Sequence, residues 1–141
     1  MLRTIIQAAE NFCVHQIREE HALSTEPSKE RTLIAYIDID ADDSRSFRVF
    51  LACEKEFAQK VTKVFLDEDE SDEETLKNMS LELANLIVGS AKVISEESGM
   101  NMFTIRTPHF EKIGAFDVEY DSLQSVQVGE TKVTIALKEL S

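Results

Sequence analysis

Apolar residues recur at helical spacing in some stretches of the chain and alternate with polar ones in others. Leu2, Ile5, Ile6, Ala9, Phe12, Cys13 and Ile17 keep three- and four-residue spacing, which predicts one helix over 2–20 with a single buried face. STEPSKE (24–30) is polar and carries a proline, so it reads as a linker. TLIAYIDID (32–40) and RSFRVFLAC (45–53) read as strands, joined into a hairpin by the turn DADDS. Residues 54–66 look helical, with Phe57, Val61, Val64, Phe65 and Leu66 apolar. DEDESDEE (67–74) is an acidic run whose last carboxylates suit the positive end of a helix dipole. A long helix follows over roughly 73–97, and Gly99 is placed to end it. MNMFTIRTP (100–108) and KVTIALKEL (132–140) alternate as strands, with FDVEYDS (116–122) between them and GE (129–130) as a turn. Helices and strands are segregated along the chain. That order predicts an α+β fold, a mostly antiparallel sheet packed with long helices.

Length and composition narrow this picture. The 141 residues fit one domain, 1–141, with a real core. At 43% hydrophobic and 30% charged the chain is globular, not disordered. A formal net charge of −12 argues against nucleic acid and against anionic membrane surfaces as partners. It permits a basic protein partner, although acidity more often serves solubility alone. No apolar run reaches membrane-spanning length, and MLRTIIQAAENFCVHQIREE lacks the continuous apolar core of a signal peptide. A cytoplasmic location is expected. Cys13 and Cys53 sit in the apolar stretches FCV and LAC and read as buried, reduced thiols.

Most candidate chemistry fails on spacing. DIDADD (38–43) would need glycine at the sixth and glutamate at the twelfth position of a calcium loop, and those places hold Asp43 and Val49. It reads as a solvated turn. His15, His21 and His109 share no ligand spacing with each other or with the cysteines, so no metal site is expected. Four scattered glycines make no phosphate loop. CVH (13–15) places its thiol and imidazole two residues apart on a helix, where they diverge.

The long helix is different. On a helical projection Leu76, Met79, Leu83, Ile87 and Ile94 share one side, while Asn78, Glu82, Asn85, Gly89 and Lys92 gather within an arc of about 80° on the other. Asparagine and glycine are poor choices for a merely solvated helix face. Glu82 and Asn85 are neighbours three residues apart, and Gly89 removes bulk one turn on. That glycine costs about 1 kcal/mol of helix propensity, a loss that makes sense if something approaches the face closely. An ordinary solvated face with an incidental glycine is the alternative.

The segment resembles the signature of the CheC/CheX/FliY family of chemotaxis phosphatases. The family pattern is an Asp or Ser, three residues, Glu, two residues, Asn, and then 22 residues before a proline. Glu82, Asn85 and Pro108 match it, and Gly89 matches a glycine common four residues past the asparagine. A Glu-x-x-Asn pair alone arises by chance in roughly a third of chains this long, and the proline brings that to about one in fifty. Length and element order also resemble CheX. There are two departures. Asn78 stands where the family has Asp or Ser, which is expected to weaken an auxiliary contact. Ala84 stands where CheX-type sequences have glycine, and its methyl is expected to tighten or block close approach by a partner.

The resemblance implies a phosphatase that hydrolyses the aspartyl phosphate of a CheY-type response regulator. Asn85 would orient the attacking water, Glu82 would pair with the regulator's active-site lysine, and Asn78 and Gly89 would complete the docking face. It implies no cofactor in this chain, the Mg2+ being held by the phosphorylated partner. It also implies a homodimer with one site per chain, since there is no second Glu-x-x-Asn. Pro108 would be structural. The alternatives are a non-catalytic, regulator-binding or flagellar-switch-like scaffold of the same fold, and a small acidic interaction protein outside the family.

Overall fold

The computed structural model describes residues 1–140. Seven strands form one sheet: β1 (His21–Ser24), β2 (Thr32–Ala41), β3 (Ser46–Glu54), β4 (Phe103–Ile105), β5 (His109–Gly114), β6 (Ser122–Val128) and β7 (Thr131–Glu139). Their order is β1-β6-β7-β3-β2-β4, with β5 also on β2, and each pairing is antiparallel. The helices are α1 (Leu2–Phe12), α2 (Lys55–Leu66) and α3 (Glu73–Ser98). This is the α+β arrangement that the segregated elements predict.

The hairpin forms in the expected place, with register running from Thr32 opposite Glu54 to Asp40 opposite Ser46. Its strands are central, so both faces are covered and the apolar run is nearly continuous. Leu33, Ala35, Ile37 and Ile39 of β2, with Phe47, Val49, Leu51 and Cys53 of β3, join the inner faces of all three helices in the main core. The intervening Ile34, Phe50 and Ala52 point the other way. They meet Ala136, Tyr36 and Leu123 under Phe116 and Val118. FDVEYDS therefore contributes a strap across the outer face, and becomes strand only from Ser122.

Three expectations need correction. The first helix does not run to residue 20. Its α-helical part ends at Phe12, and Cys13–Ile17 form a wider π-helical turn closed by the Arg18 N–H on the Cys13 carbonyl at 2.8 Å. Arg18 then turns left-handed at φ 61° and the chain leaves as β1 against β6. The expected 24–30 linker thus loses only its first residue, Ser24, to this edge strand. MNMFTIRTP yields only the short β4, because Pro108 cannot donate to the ladder and breaks the strand before β5. β5 resumes on the same edge of β2 with a register shift between Ile34 and Ala35.

The turn is shorter than expected: of DIDADD only Asp42 and Asp43 lie in it, Asp38 and Asp40 belong to β2, and arginines brace Asp38, Asp40 and Asp43. Asp38 takes two hydrogen bonds from Arg48 at 2.8 and 2.9 Å, and Asp40 takes two from Arg106 at 2.8 and 3.1 Å. Asp43 accepts from Arg45 at 2.8 Å. Hydrogen bonds from Arg106 and Arg45 hold the Asp40 and Asp43 carboxyls below the usual range. Among the described residues no helix is long and apolar enough to cross a membrane.

α3 is capped at both ends as its sequence requires. Asp72 accepts the Thr75 N–H at 2.8 Å, Glu73 and Glu74 occupy the first turn, and Gly99 ends the helix at φ 71°. Leu76, Met79, Leu83 and Ile87 are buried as expected, while Ile94 is only half-buried against the core. Leu83 is 1% exposed, and its truncation to Ala should cost about 2–5 kcal/mol, the range for emptying a well-packed leucine site. The urea unfolding midpoint of Leu83→Ala measures this, and a loss below about 1 kcal/mol would place Leu83 outside the tightly packed core.

Candidate functional site

The candidate site is the outward face of α3, and its geometry follows from what the inner face does. Ser80, Ala84 and Ala91 lie close to the middle of the buried arc, each at 0–1% exposure. Small side chains there let the helix axis approach β2 and the sheet closely. Ser80 satisfies its buried hydroxyl by donating to the Leu76 carbonyl at 2.9 Å. Larger residues, Leu76, Leu83 and Ile87, fill the space on one side of that line. This corrects the expectation for Ala84. Its methyl faces the sheet, so the departure from glycine affects the spacing between helix and sheet and cannot touch a partner on the outer face.

Asn78, Glu82 and Asn85 are exposed, and Gly89 and Lys92 are half-exposed. The α3 side chains that hydrogen-bond within the protein are those of Asp72, Glu73, Ser80 and Ser98. Asn78, Glu82 and Asn85 have no such partner among the described residues. Lys92 is turned toward Glu96 at 3.7 Å, one turn further on. Glu82 and Asn85 are offset by about 4.5 Å along the axis, and Gly89 lies about 6 Å beyond Asn85. A carboxylate and a primary amide therefore stand side by side, unpaired, on a rigid 26-residue helix. Together they offer acceptors, and Asn85 adds two donors.

Gly89 needs no special backbone. A Cβ built there meets nothing within 4 Å, and its φ is not among the positive ones. The fold tolerates a larger residue at this position, so the glycine is explained by nothing inside the molecule. Pro108 lies half-buried between β4 and β5. Two residues on, the Phe110 ring is covered by the Lys77 ammonium at 5.3 Å, which ties β5 to α3.

The other candidates are not brought together. His15 is exposed, His21 pairs with Glu10 at 2.8 Å, and His109 stacks on Tyr36 with ring centroids 5.3 Å apart. Cys13 and Cys53 are both buried and free. Burial pushes the Cys13 thiol up to about 11, with Glu10 adding to it, and Cys53 up to about 12. Both stay protonated and unreactive at neutral pH. Among the described residues no three His, Cys, Asp or Glu side chains converge as metal ligands.

One feature of the surface escaped the sequence reading. Val64, Phe65 and Leu66 at the end of α2 are exposed, as is Val93 on α3. The signal was present as three consecutive apolar residues, which is more than the single buried face of a helix can absorb.

A model of the family described as "Chemotaxis phosphatase CheX" matches residues 34–131, a span that includes Glu82, Asn85, Gly89 and Pro108. No curated protein matches the sequence. Among solved structures, the chemotaxis protein CheX from Vibrio vulnificus is 15% identical with a TM-score of 0.77, the alignment covering 97% of each chain. A chemotactic CheC-like protein from Shewanella oneidensis is 11% identical with a TM-score of 0.72, covering 99% of this chain and 94% of that one. The CheX–CheY–BeF3–Mg2+ complex from Borrelia burgdorferi is 17% identical with a TM-score of 0.67, covering 97% of each chain. At these identities the structures speak for the fold, and the matched span is most of the chain. The chain belongs to the CheX family of chemotaxis phosphatases.

Proposed function

We infer that the outer face of α3 docks on a phosphorylated CheY-type response regulator and that Asn85 positions the water that hydrolyses its aspartyl phosphate. The observation that carries this reading is the unpaired Glu82–Asn85 couple, exposed on a rigid helix beside a glycine that the fold does not need. The division of labour follows from the chemistry. An acyl phosphate is already labile, and the regulator supplies the Mg2+ and a lysine, so the helper protein has to place a water in line. The Asn85 amide both accepts and donates, so it can hold that water without acting as a strong base. Glu82, one turn earlier, pairs with the regulator's lysine and sets the register of the docked helix. Asn78 extends the contact, and Gly89 admits the partner's backbone. This chain needs no cofactor of its own. A regulator captured with BeF3 and Mg2+ by the Borrelia relative supports the choice of partner. The family resemblance also carries a homodimer and a cytoplasmic location. A strictly monomeric species in sedimentation at micromolar concentration overturns the dimer.

Asn85→Ala should lower stimulated dephosphorylation by a factor of about 100 or more, the usual loss for a positioned hydrogen-bonding group. Asn85 is exposed, so the fold should be untouched, with circular dichroism as the control. Glu82→Ala should act mainly on the regulator concentration at half-maximal rate, because it removes a charge pair and not the water-holding group. A folded Asn85→Ala protein with full activity overturns the assignment, and binding without accelerated hydrolysis by the unmodified protein returns the scaffold reading.

Gly89→Ala separates fold from docking. It should stabilise the free protein by about 1 kcal/mol, because alanine is the better helix former and its methyl has room. It should also weaken docking several-fold. Unchanged docking by the stabilised variant would remove Gly89 from the interface.

A further inference from the structure

A cavity of about 250 Å³ opens where α1, α2 and α3 meet. Phe12 and Phe65 form one wall, with ring centroids 6.1 Å apart, and Leu86 and Ile87 form another. His15 and Ser90 stand among its lining residues. The surface around it is unusually apolar. Phe65 is 43% exposed, Leu66 49% and Val93 52%.

The position of this cavity relative to the Glu82–Asn85 couple decides what it can hold. Leu86 lies one turn past Glu82 and about 40° around the helix from it, so the cavity opens on the flank of the polar arc. From Asn85 to Ser90 the helix rises by about 7.5 Å and turns by about 140°. A protein interface of ordinary size covers about 800 Å² per partner, equivalent to a disc of radius about 16 Å. A regulator of that footprint centred on Asn85 reaches the flank of α3 where the cavity opens. The opposite border of the arc offers nothing comparable, because Lys77 already lies over Phe110 there. The arc itself is polar, whereas tight interfaces draw much of their affinity from an apolar anchor seated in a pocket. The cavity falls below the roughly 300–1,000 Å³ of small-molecule sites, which favours a single protein side chain over a cofactor.

We propose that this cavity is the anchor site of the docking face, receiving one aliphatic or aromatic side chain from the regulator surface that borders its phosphorylated aspartate. The proposal rests on the docking of that regulator over Asn85. It divides the face into two parts. Glu82 and Asn85 read the phosphorylation site, which is common to all such regulators, while the cavity reads a side chain that differs among them. Selection of one regulator over another then lies with Phe65, Leu86 and Ser90.

The test uses a CheY-type regulator of the source organism loaded with Mg2+ and BeF3, titrated against the full chain. Ser90→Trp fills the mouth of the cavity from an exposed helix position, and Phe65→Gln removes apolar wall from a residue already half in solvent. Each variant is checked by circular dichroism and urea midpoint. Both should raise the dissociation constant about tenfold or more, with a smaller effect on the maximal dephosphorylation rate. Folded variants that bind the loaded regulator as the unmodified protein does overturn the anchor. If Asn85→Ala is inactive in the same series, the catalytic reading survives that result. A change confined to sedimentation assigns the cavity to a second copy of the chain and also overturns the proposal. Full activity of Asn85→Ala strikes the underlying reading instead, and the titration of Ser90→Trp still reports whether the cavity is covered.

Discussion

The packing of the inner face of α3 on the sheet determines what the protein presents to the outside. Leu76, Leu83, Ala84, Ile87, Val88 and Ala91 are each 0–2% exposed. A rotation of the helix by one residue, about 100°, that carried Glu82 into the place of Leu83 would turn Ala84 and Val88 out to solvent. An unpaired buried carboxylate costs several kcal/mol, and the lost valine burial adds about 2 more. The rotation of α3 is thereby fixed, and with it the direction in which Glu82 and Asn85 point. No contact on the outer face is required to hold them there. A site whose geometry is set entirely from behind leaves its polar groups free for a partner, which is the condition for positioning chemistry on another protein's substrate.

The features legible in the sequence were those with a strong period. The hairpin, α2 and α3 carry long apolar patterns with their own stops, and the structure moves their ends by one or two residues. α3 also announces its caps, Asp72 and Gly99. What the pattern hid were short edge strands. β1 has four residues with no clear alternation of burial, and the apolar spacing of α1 persists through Cys13 and Ile17, so the left-handed exit at Arg18 left no trace. β5 alternates only weakly and carries Glu111 and Lys112, the kind of charged edge that resists pairing with other chains. The strap of Phe116 and Val118 is tertiary in origin, since nothing local tells a chain to cross the back of a sheet.

The polar arc was legible for a different reason. Asparagine and glycine in mid-helix contradict local propensity, and such conflicts concentrate at functional positions. Burial then sorts the residues that composition cannot. Asn78, Glu82 and Asn85 face solvent, while Ala84, only one residue from Asn85, faces the sheet. The apolar run at the end of α2 was visible too, but its meaning depended on where α2 ends relative to α3. That is a matter of three-helix packing and not of any one segment. The same packing generates the cavity between Phe65 and Leu86.

In the proposed docking, Glu82 would carry the selectivity that electrostatics can supply. In the free protein it faces water without a cationic partner among the described residues. A surface that seals it away from water must bring a positive group of its own, or the desolvation of the carboxylate opposes docking by several kcal/mol. An excess of 27 acidic over 15 basic residues in the chain strengthens that requirement, because the surrounding field already repels acidic surfaces. Asn85 imposes a milder demand. It is neutral, yet its amide needs both a donor and an acceptor opposite it once water is excluded. A bare apolar surface satisfies neither residue. A lysine beside a phosphoryl group, with one water between phosphorus and amide, satisfies both at once. As a docking pair Glu82 and Asn85 would thus reject most surfaces by the cost of leaving their polar groups unmet, and specificity would arise before any favourable contact is counted.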